Sequence, residues 1–523
     1  MVSSFMQRGQ LRPGVPARVE GVVVDGLTNR PIPNVTVTVL QEADRLNSVS
    51  DPQGRFSFTV HHGTVRVFAA RAGYSAIQPD GHQRPLPNGL LITTSSGQQI
   101  RGVTLRLMPT GSIAGRVYDA RSKPVQYAKA QLWRFTYDDN GERSFRQVEG
   151  VRETEVNERG EFRLENIDPG EYYLRIDPPL LSERMPGESW LPVFHPGTND
   201  RAKAVPVAVK GGSTVQLEDL TMQSVRGGTI RIRLINRTGE SIQSTFTKFL
   251  SWRLRGTVAP AGVKVPLLIM GGPERAEIPV APGAYEVIAG YSKASGPPFG
   301  LGNAIVEVGQ RNVDVEIQVN KGFRISGQVL MEQPKGPPRP LAGVRCDLTG
   351  DGPTYASVTS GTDGSFVMDN LMPAIYRMSC SGIPADAFLT QIRQGERDVL
   401  KDGVQITNSE SPGLNVTIAG AGGVVEGAVT DSKSQKVPAA FVALVPDPPS
   451  AGAGHLYRTS VADQNGVFNL RSVASGNYRL FAWREIDGGA YRNAEFMMKY
   501  DGQGTPVKVT SGAKLTVNTP IMD

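Results

Sequence analysis

Cysteine and histidine are scarce in this chain. Two of the former and five of the latter stand among 523 residues, which excludes a disulfide-dense mini-scaffold and a Cys-rich zinc module. The histidines, His61, His62, His82, His195 and His455, fall outside the His-x-x-Glu and His-Glu-x-x-His spacings of zinc peptidases. Neither a Gly-x-Ser-x-Gly elbow nor a phosphate-binding Gly-x-x-x-x-Gly-Lys loop occurs, so the residues give no purchase for a serine hydrolase or a nucleotide enzyme. Apolar runs are short, well below the ~18 residues a membrane helix needs, and no transmembrane segment is expected. The opening "MVSSFMQRGQLRPGVP" lacks an apolar core of the length a signal peptide carries. The net charge of +6 comes from scattered Lys and Arg, many alternating with apolar residues as in "TIRIRLI" at 229–235. That is the wet face of a strand, and no nucleic-acid groove is expected.

Glycine and proline, by contrast, are plentiful at 59 and 38, more than helical domains tolerate. They punctuate a repeat. Gly-x-Phe recurs in "DPQGRFSF" (51–58), "NERGEFRL" (157–164), "GTDGSFVM" (361–368) and "DQNGVFNL" (463–470). After three of these a tyrosine follows at constant interval, Tyr172, Tyr376 and Tyr478, twice as Gly-x-Tyr with Gly170 and Gly476. The repeat positions are thus Gly54, Phe56, Gly160, Phe162, Gly170, Tyr172, Gly364, Phe366, Tyr376, Gly466, Phe468, Gly476 and Tyr478. An Asp or Asn three residues before Gly54, Gly160 and Gly466 caps a tight turn, and glycine accepts positive φ there. Phe162 and Leu164, then Tyr172, Leu174 and Ile176, alternate inward around "DPGE", which predicts a core-forming hairpin closed by a type II turn.

Ahead of each such element stands Gly-x-Val, a polar turn and a Pro-led strand, as in "GVVVDGLTNRPIPNVTVTVL" (21–40) and "GAVTDSKSQKVPAAFVALV" (427–445). Behind come alternating strands such as "VTLRLMP" (103–109), "VDVEIQV" (313–319) and "LNVTIAG" (414–420). Roughly seven strands per hundred residues fit a Greek-key sandwich.

At these residues the chain resembles the carboxypeptidase regulatory-like domain, a transthyretin-like (prealbumin-like) sandwich close to Cna B-type repeats. The expected fold is all-β, an elongated tandem array of about five sandwiches. Their expected bounds are a disordered segment 1–16, then 17–109, 110–225 with a long loop insertion, a divergent 226–320, 321–421 with both cysteines, and 422–523. The divergent unit keeps Pro-Gly-x-Tyr at Gly283 and Tyr285 without a preceding Gly-x-Phe, and the first unit has Gly63-Thr64-Val65 in place of Gly-x-Tyr. Short junctions, "LMPTGSIAG" (107–115) and "VNKGFRISG" (319–327), imply stiff coupling between neighbours.

Function is less legible. No catalytic, cofactor-binding or metal residues are assigned, and no cofactor is expected. Family proteins of this type are generally exported, so the resemblance implies an extracytoplasmic, non-catalytic spacer, surface-display or interaction array. Its partner would be an unknown protein or glycan at the cell surface. The alternative is a carbohydrate- or peptide-binding module accessory to a secreted hydrolase or uptake system, with Trp190, Phe194 and His195 as candidate ligand surface. Trp133 and Trp483 read as core or partial-core strand residues. Cys346 and Cys380 share inward parity within one unit, as buried thiols or as a disulfide. "YDDNGER" (137–143) lacks the alternating ligands of a calcium loop and reads as a hairpin turn. The Cna B resemblance raises a Lys–Asn isopeptide bond, for which no inward lysine is evident.

Overall fold

Each repeat opens with a strand that places glycine opposite the phenylalanine of its neighbour. In the computed structural model Gly21 pairs with Phe56, Gly115 with Phe162, Gly327 with Phe366 and Gly427 with Phe468. All four phenylalanines are buried. A Cβ at Gly115 would stand 2.9 Å from the Phe162 ring, and one at Gly21 would stand 2.5 Å from that of Phe56. The ring therefore lies over a bare stretch of backbone, covering a residue that would otherwise weaken the strand. The glycine of Gly-x-Val and the phenylalanine of Gly-x-Phe are two halves of one contact.

The structure describes residues 15–42, 44–77, 86, 89–179, 188–241, 246–254, 267–270, 275–293, 298–350, 356–407, 411–449 and 452–522. Residues 1–14 of the N-terminal segment, and His82, lie outside them.

The first sandwich sets the plan. One sheet runs in the order Arg55–Val60, Ala17–Asp25, Gln99–Pro109, Tyr74–Ile77, and the facing sheet runs Asp44–Val49, Thr36–Gln41, Gly63–Ala70, Leu90–Thr94. Valines at 19, 23, 35, 37, 39, 65 and 67 fill the space between, with Phe56, Phe58 and Leu107. The second, fourth and fifth units repeat this arrangement around their own apolar clusters. In every unit the closing strand lies parallel to the opening one, for example Val103 beside Gly21, Val313 beside Ile230 and Leu414 beside Gly327. The chain thus enters one end of a sandwich and leaves from the other.

The expected hairpin is instead an arch. Glu161–Ile167 pairs with Gly111–Asp119 in one sheet, while Gly170–Asp177 pairs with Lys129–Tyr137 in the other. The apolar sets of the two strands meet across the core rather than side by side, and an alternation of period two reads the same in either case. The turn also differs from type II. The left-handed residue is Asn166 at φ 58°, matched by Asn370 at 63° and Ser472 at 56°. Gly170 serves another purpose, because a Cβ there would come within 3.2 Å of the Tyr172 hydroxyl. That hydroxyl donates to Asp168 O at 3.0 Å; Tyr285, Tyr376 and Tyr478 donate likewise to Ala281 O, Met372 O and Ala474 O at 2.9–3.0 Å. Each tyrosine pins the carbonyl four residues upstream, so the arch is closed by a buried side chain in the manner of a tyrosine corner. Burial raises the hydroxyls of Tyr172 and Tyr285 to a pKa of about 12.

The Gly-x-Phe turns are built as expected, with Gly54, Gly160, Gly364 and Gly466 at φ between 70° and 81°. Asp51, Asn157 and Asp463 each accept two backbone N–H groups. Arg55 hydrogen bonding holds the Asp51 carboxyl below its ordinary pKa.

Two expectations need correction. The third unit is one continuous seven-stranded sheet folded on itself, because Pro298–Val308 pairs along Gly283–Lys293 and also meets Val313–Lys321 at Gly300 and Leu301. Glycines 290, 300 and 302 permit the close backbone approach at that fold. Nor is the array a simple elongated rod. The fifth sandwich lies against the first, where Gln464 bridges Thr93 N and O at 2.9 Å and Ala439 joins the first core, and against the second as described below. Neighbour-to-neighbour junctions are tight, with Thr110 alone between Gln99–Pro109 and Gly111–Asp119.

Candidate functional site

Sheets of this kind ordinarily turn polar residues outward, but two of them do not. In the second unit Leu132 and Leu174 face the core, while Trp133 and Tyr173 face away and join Phe135, Phe145 and Phe194 in a cluster of rings. Trp133 stacks on Phe145 at 5.2 Å between centroids, and Phe194 stands 6.2 Å from Phe145. Guanidinium groups cover the rings, with Arg175 5.0 Å above Trp133, Arg143 4.4 Å above Phe135 and Arg201 5.5 Å above Phe145. Arg175 is held by Asp177 at 2.6 Å.

The insertion after Gly170–Asp177 supplies the cover. Phe194 pairs with Arg175 and is buried, so it is an anchor of the insertion rather than an exposed platform. Trp190 is half-buried against the inner core and pairs with Ser224, tying the insertion to the linker into the third unit. His195 N donates to Leu174 O at 3.1 Å, its Nδ1 is buried without a hydrogen-bond partner among the described residues, and burial lowers its pKa. The structure therefore brings Phe194 to the outer cluster, leaves Trp190 in the inner one, and fixes His195 beside Leu174 through its backbone.

The fifth unit repeats the device. Phe441, Phe481 and Trp483 form its outer face, roofed by Ile486, Tyr491, Phe496, Met497 and Tyr500 from the stretch after Gly476–Trp483. Trp483 stacks on Phe481 at 5.7 Å and meets Tyr500 edge-on at 5.6 Å. Both tryptophans are thus buried, though on the far side of the sheet from the sandwich core. Asn493 caps the one-turn helix Ala494–Met497 by accepting from Phe496 N at 2.8 Å.

This roof grips the second unit. The hairpin joining Lys129–Tyr137 to Arg143–Gln147 carries the "YDDNGER" stretch, and Asp138 Oδ1 accepts from Asn140 N and Glu142 N at 2.9 Å, a turn cap. Its outward carbonyls meet the fifth unit. Asn493 Nδ2 donates to Gly141 O at 2.9 Å, the Arg492 guanidinium donates to Asp139 O, and Gly489 N donates to Tyr137 O at 3.3 Å. Thr136 Oγ1 donates to Asp487 Oδ1 at 2.8 Å, and the Tyr137 ring meets Phe496 at 5.7 Å. A Cβ at Gly488 or Gly489 would strike the carbonyls of Tyr137 or Asp138, and Gly141 sits at φ 82° against Arg492. Sequence reasoning missed this clasp. Its one local signal was the Gly-Gly pair at 488–489, which has no turn or strand role in the repeat.

Cys346 and Cys380 face each other on Arg345–Gly350 and Ala374–Ser381 as free thiols, their sulfurs 3.3 Å apart. The Cys380 thiol donating to Cys346 lowers the latter's pKa. Among the described residues no cluster of three or more His, Cys, Asp or Glu forms a metal site, no lysine is buried, and no helix is long and apolar enough to cross a membrane. Among the described residues, therefore, no buried lysine is set beside an acid and an Asn for an isopeptide bond.

The fold and its recurring contacts define an all-β array of sandwich units. Residues 18–83, within the first unit, match the sequence model of the carboxypeptidase regulatory-like domain. Curated proteins yield no match. Among solved structures, the TIE protein of Bacillus anthracis is similar at 12% identity over 59% of this chain, with a TM-score of 0.17. This chain spans about half, 51%, of that protein. GBS52, the minor pilin of Streptococcus agalactiae, is similar at 14% identity over 40% of this chain and 96% of its own, TM-score 0.22. The shaft pilin SpaA of Lactobacillus rhamnosus GG is similar at 10% identity over 40% and 98%, TM-score 0.20.

Proposed function

We propose that this chain is a non-catalytic extracytoplasmic scaffold whose sandwiches act as spacers and interaction surfaces, closed on itself by its last unit. The observation that carries the reading is the clasp. The polar segments 137–143 and 487–493 are spent on joining the second and fifth units rather than on lining a cleft. The aromatic side chains that could have read a glycan are roofed and stacked with arginine, which favours the scaffold over the carbohydrate- or peptide-binding alternative. Labelling intact source cells with a membrane-impermeant amine reagent tests it. Recovery of the labelled chain supports display outside the cytoplasm; recovery of the chain only unlabelled, alongside labelled surface controls, refutes it.

A further inference from the structure

Four sandwiches share one cross-strand pair at the same place. Three residues after a left-handed residue, Asn34, Tyr127, Gly343 or Ala439, the strand presents an inward side chain to a partner strand. The pairs are Val37 with Ala69, Ala130 with Ile176, Cys346 with Cys380 and Val442 with Ala482. Only the fourth unit departs from aliphatic residues, and it does so on both strands together, placing the chain's entire thiol content at one register position.

We propose that Cys346 and Cys380 form a cross-strand disulfide that locks the fourth sandwich. Antiparallel partners directly opposite have Cα separations inside the range a disulfide spans. The sulfurs are already in contact at 3.3 Å, so bonding needs side-chain rotation and not strand movement. Access is graded, since Cys346 is enclosed and Cys380 is partly exposed at the end of its strand. The oxidant is a small external disulfide. Cys380, the accessible thiol, gives up its proton and attacks it, forming a mixed disulfide and releasing one thiolate; the Cys346 thiolate then attacks the Cys380 sulfur and releases the second. Two protons leave, the two protein sulfurs are oxidised, and the external disulfide is reduced to two thiols. The bond would close a loop between cysteines 34 positions apart, enclosing Ala356–Thr359, Ser365–Leu371 and Tyr376. The locked unit would keep that segment folded back when the chain is pulled from its ends.

The test uses the full chain, purified reduced, exposed to oxidised glutathione, denatured and alkylated. The expected result is an intact mass lower by two hydrogens, no alkylation, and a cross-linked peptide pair containing both cysteines. The fourth-unit melting transition should also rise by several degrees. Two alkylated thiols, or a persistent glutathione adduct on Cys380 with Cys346 free, would overturn the proposal. Cys346→Val, which borrows the first sandwich's residue, should leave the Cys380 adduct unresolved. Resolution in that variant would equally refute the pairing. None of these outcomes depends on where the protein resides.

Discussion

Replacing Gly115 with alanine should destabilise the second sandwich, although the same change in an ordinary strand does the opposite. Alanine in place of glycine restricts the unfolded chain and normally gains about 0.4–1 kcal/mol. At Gly115 the new Cβ would lie 2.9 and 3.0 Å from two atoms of the Phe162 ring and 3.4 Å from Leu217 Cβ. The close atoms belong to an enclosed ring, so relief requires moving a packed aromatic, and overpacking of this kind costs about 1–3 kcal/mol. The net expectation is a loss of about 0.5–2 kcal/mol. Hydrogen exchange of peptides covering Glu161–Asp177 in the intact chain reads this directly, a tenfold faster exchange corresponding to about 1.4 kcal/mol. Phe162→Leu alone should also destabilise, by leaving a cavity. In the double variant the shorter side chain vacates the space, and alanine should recover its ordinary advantage, giving a coupling of about 1–3 kcal/mol. Neutral or slower exchange in Gly115→Ala, or additivity of the two changes, would refute the claim that the glycine exists to seat the ring.

Three further outcomes follow from the geometry. Tyr172→Phe removes one hydrogen bond to Asp168 O and nothing else, so the second unit should lose about 1 kcal/mol in a denaturant midpoint with an unchanged slope. Arg492→Ala with Asn493→Ala deletes two hydrogen bonds to the 137–143 hairpin and a helix cap, worth about 2–4 kcal/mol together. Small-angle scattering should then show a larger radius of gyration with strand content unchanged; identical scattering would mean the clasp does not hold the fifth unit in place. His455 has its pKa lowered to about 4 by burial, then by Arg458 and Lys401, with Asp398 opposing. Because the unfolded chain takes up this proton near the ordinary histidine value of about 6.5, its contribution is intact above that pH and declines as pH falls toward 4. The fifth unit's melting temperature should therefore drop across that window, and His455→Gln should flatten the drop.

The sequence revealed the beads more readily than the string. Gly54, Phe56, Gly160 and Phe162 declared themselves because a turn needing positive φ and a core needing a ring recur at fixed spacing. The tyrosines did so too, since Tyr172 and Tyr478 each need a small residue two places before them. What misled was symmetry. Alternation marks which side chains point inward without saying which sheet a strand joins, so an arch at Asp168 looked like a hairpin. Trp133 and Trp483 were legible as buried, but not as buried beneath an insertion on the outer face. The clasp was beyond reach for a different reason. It is made largely by backbone carbonyls of residues 137–141, and a carbonyl carries no mark in the one-letter code.

Because the opening strand of every sandwich finds its parallel partner only at that sandwich's far end, no unit is finished until its final residues have been made. Ala17–Asp25 must wait for Gln99–Pro109, and Gly111–Asp119 follows almost at once. During synthesis each bead would hold a bare edge open, vulnerable to a stray strand from a neighbouring copy. The order of emergence, one bead sealed before the next is begun, protects it: a chain halted just short of residue 99 would be a sticky intermediate, and one halted at 110 a finished first bead.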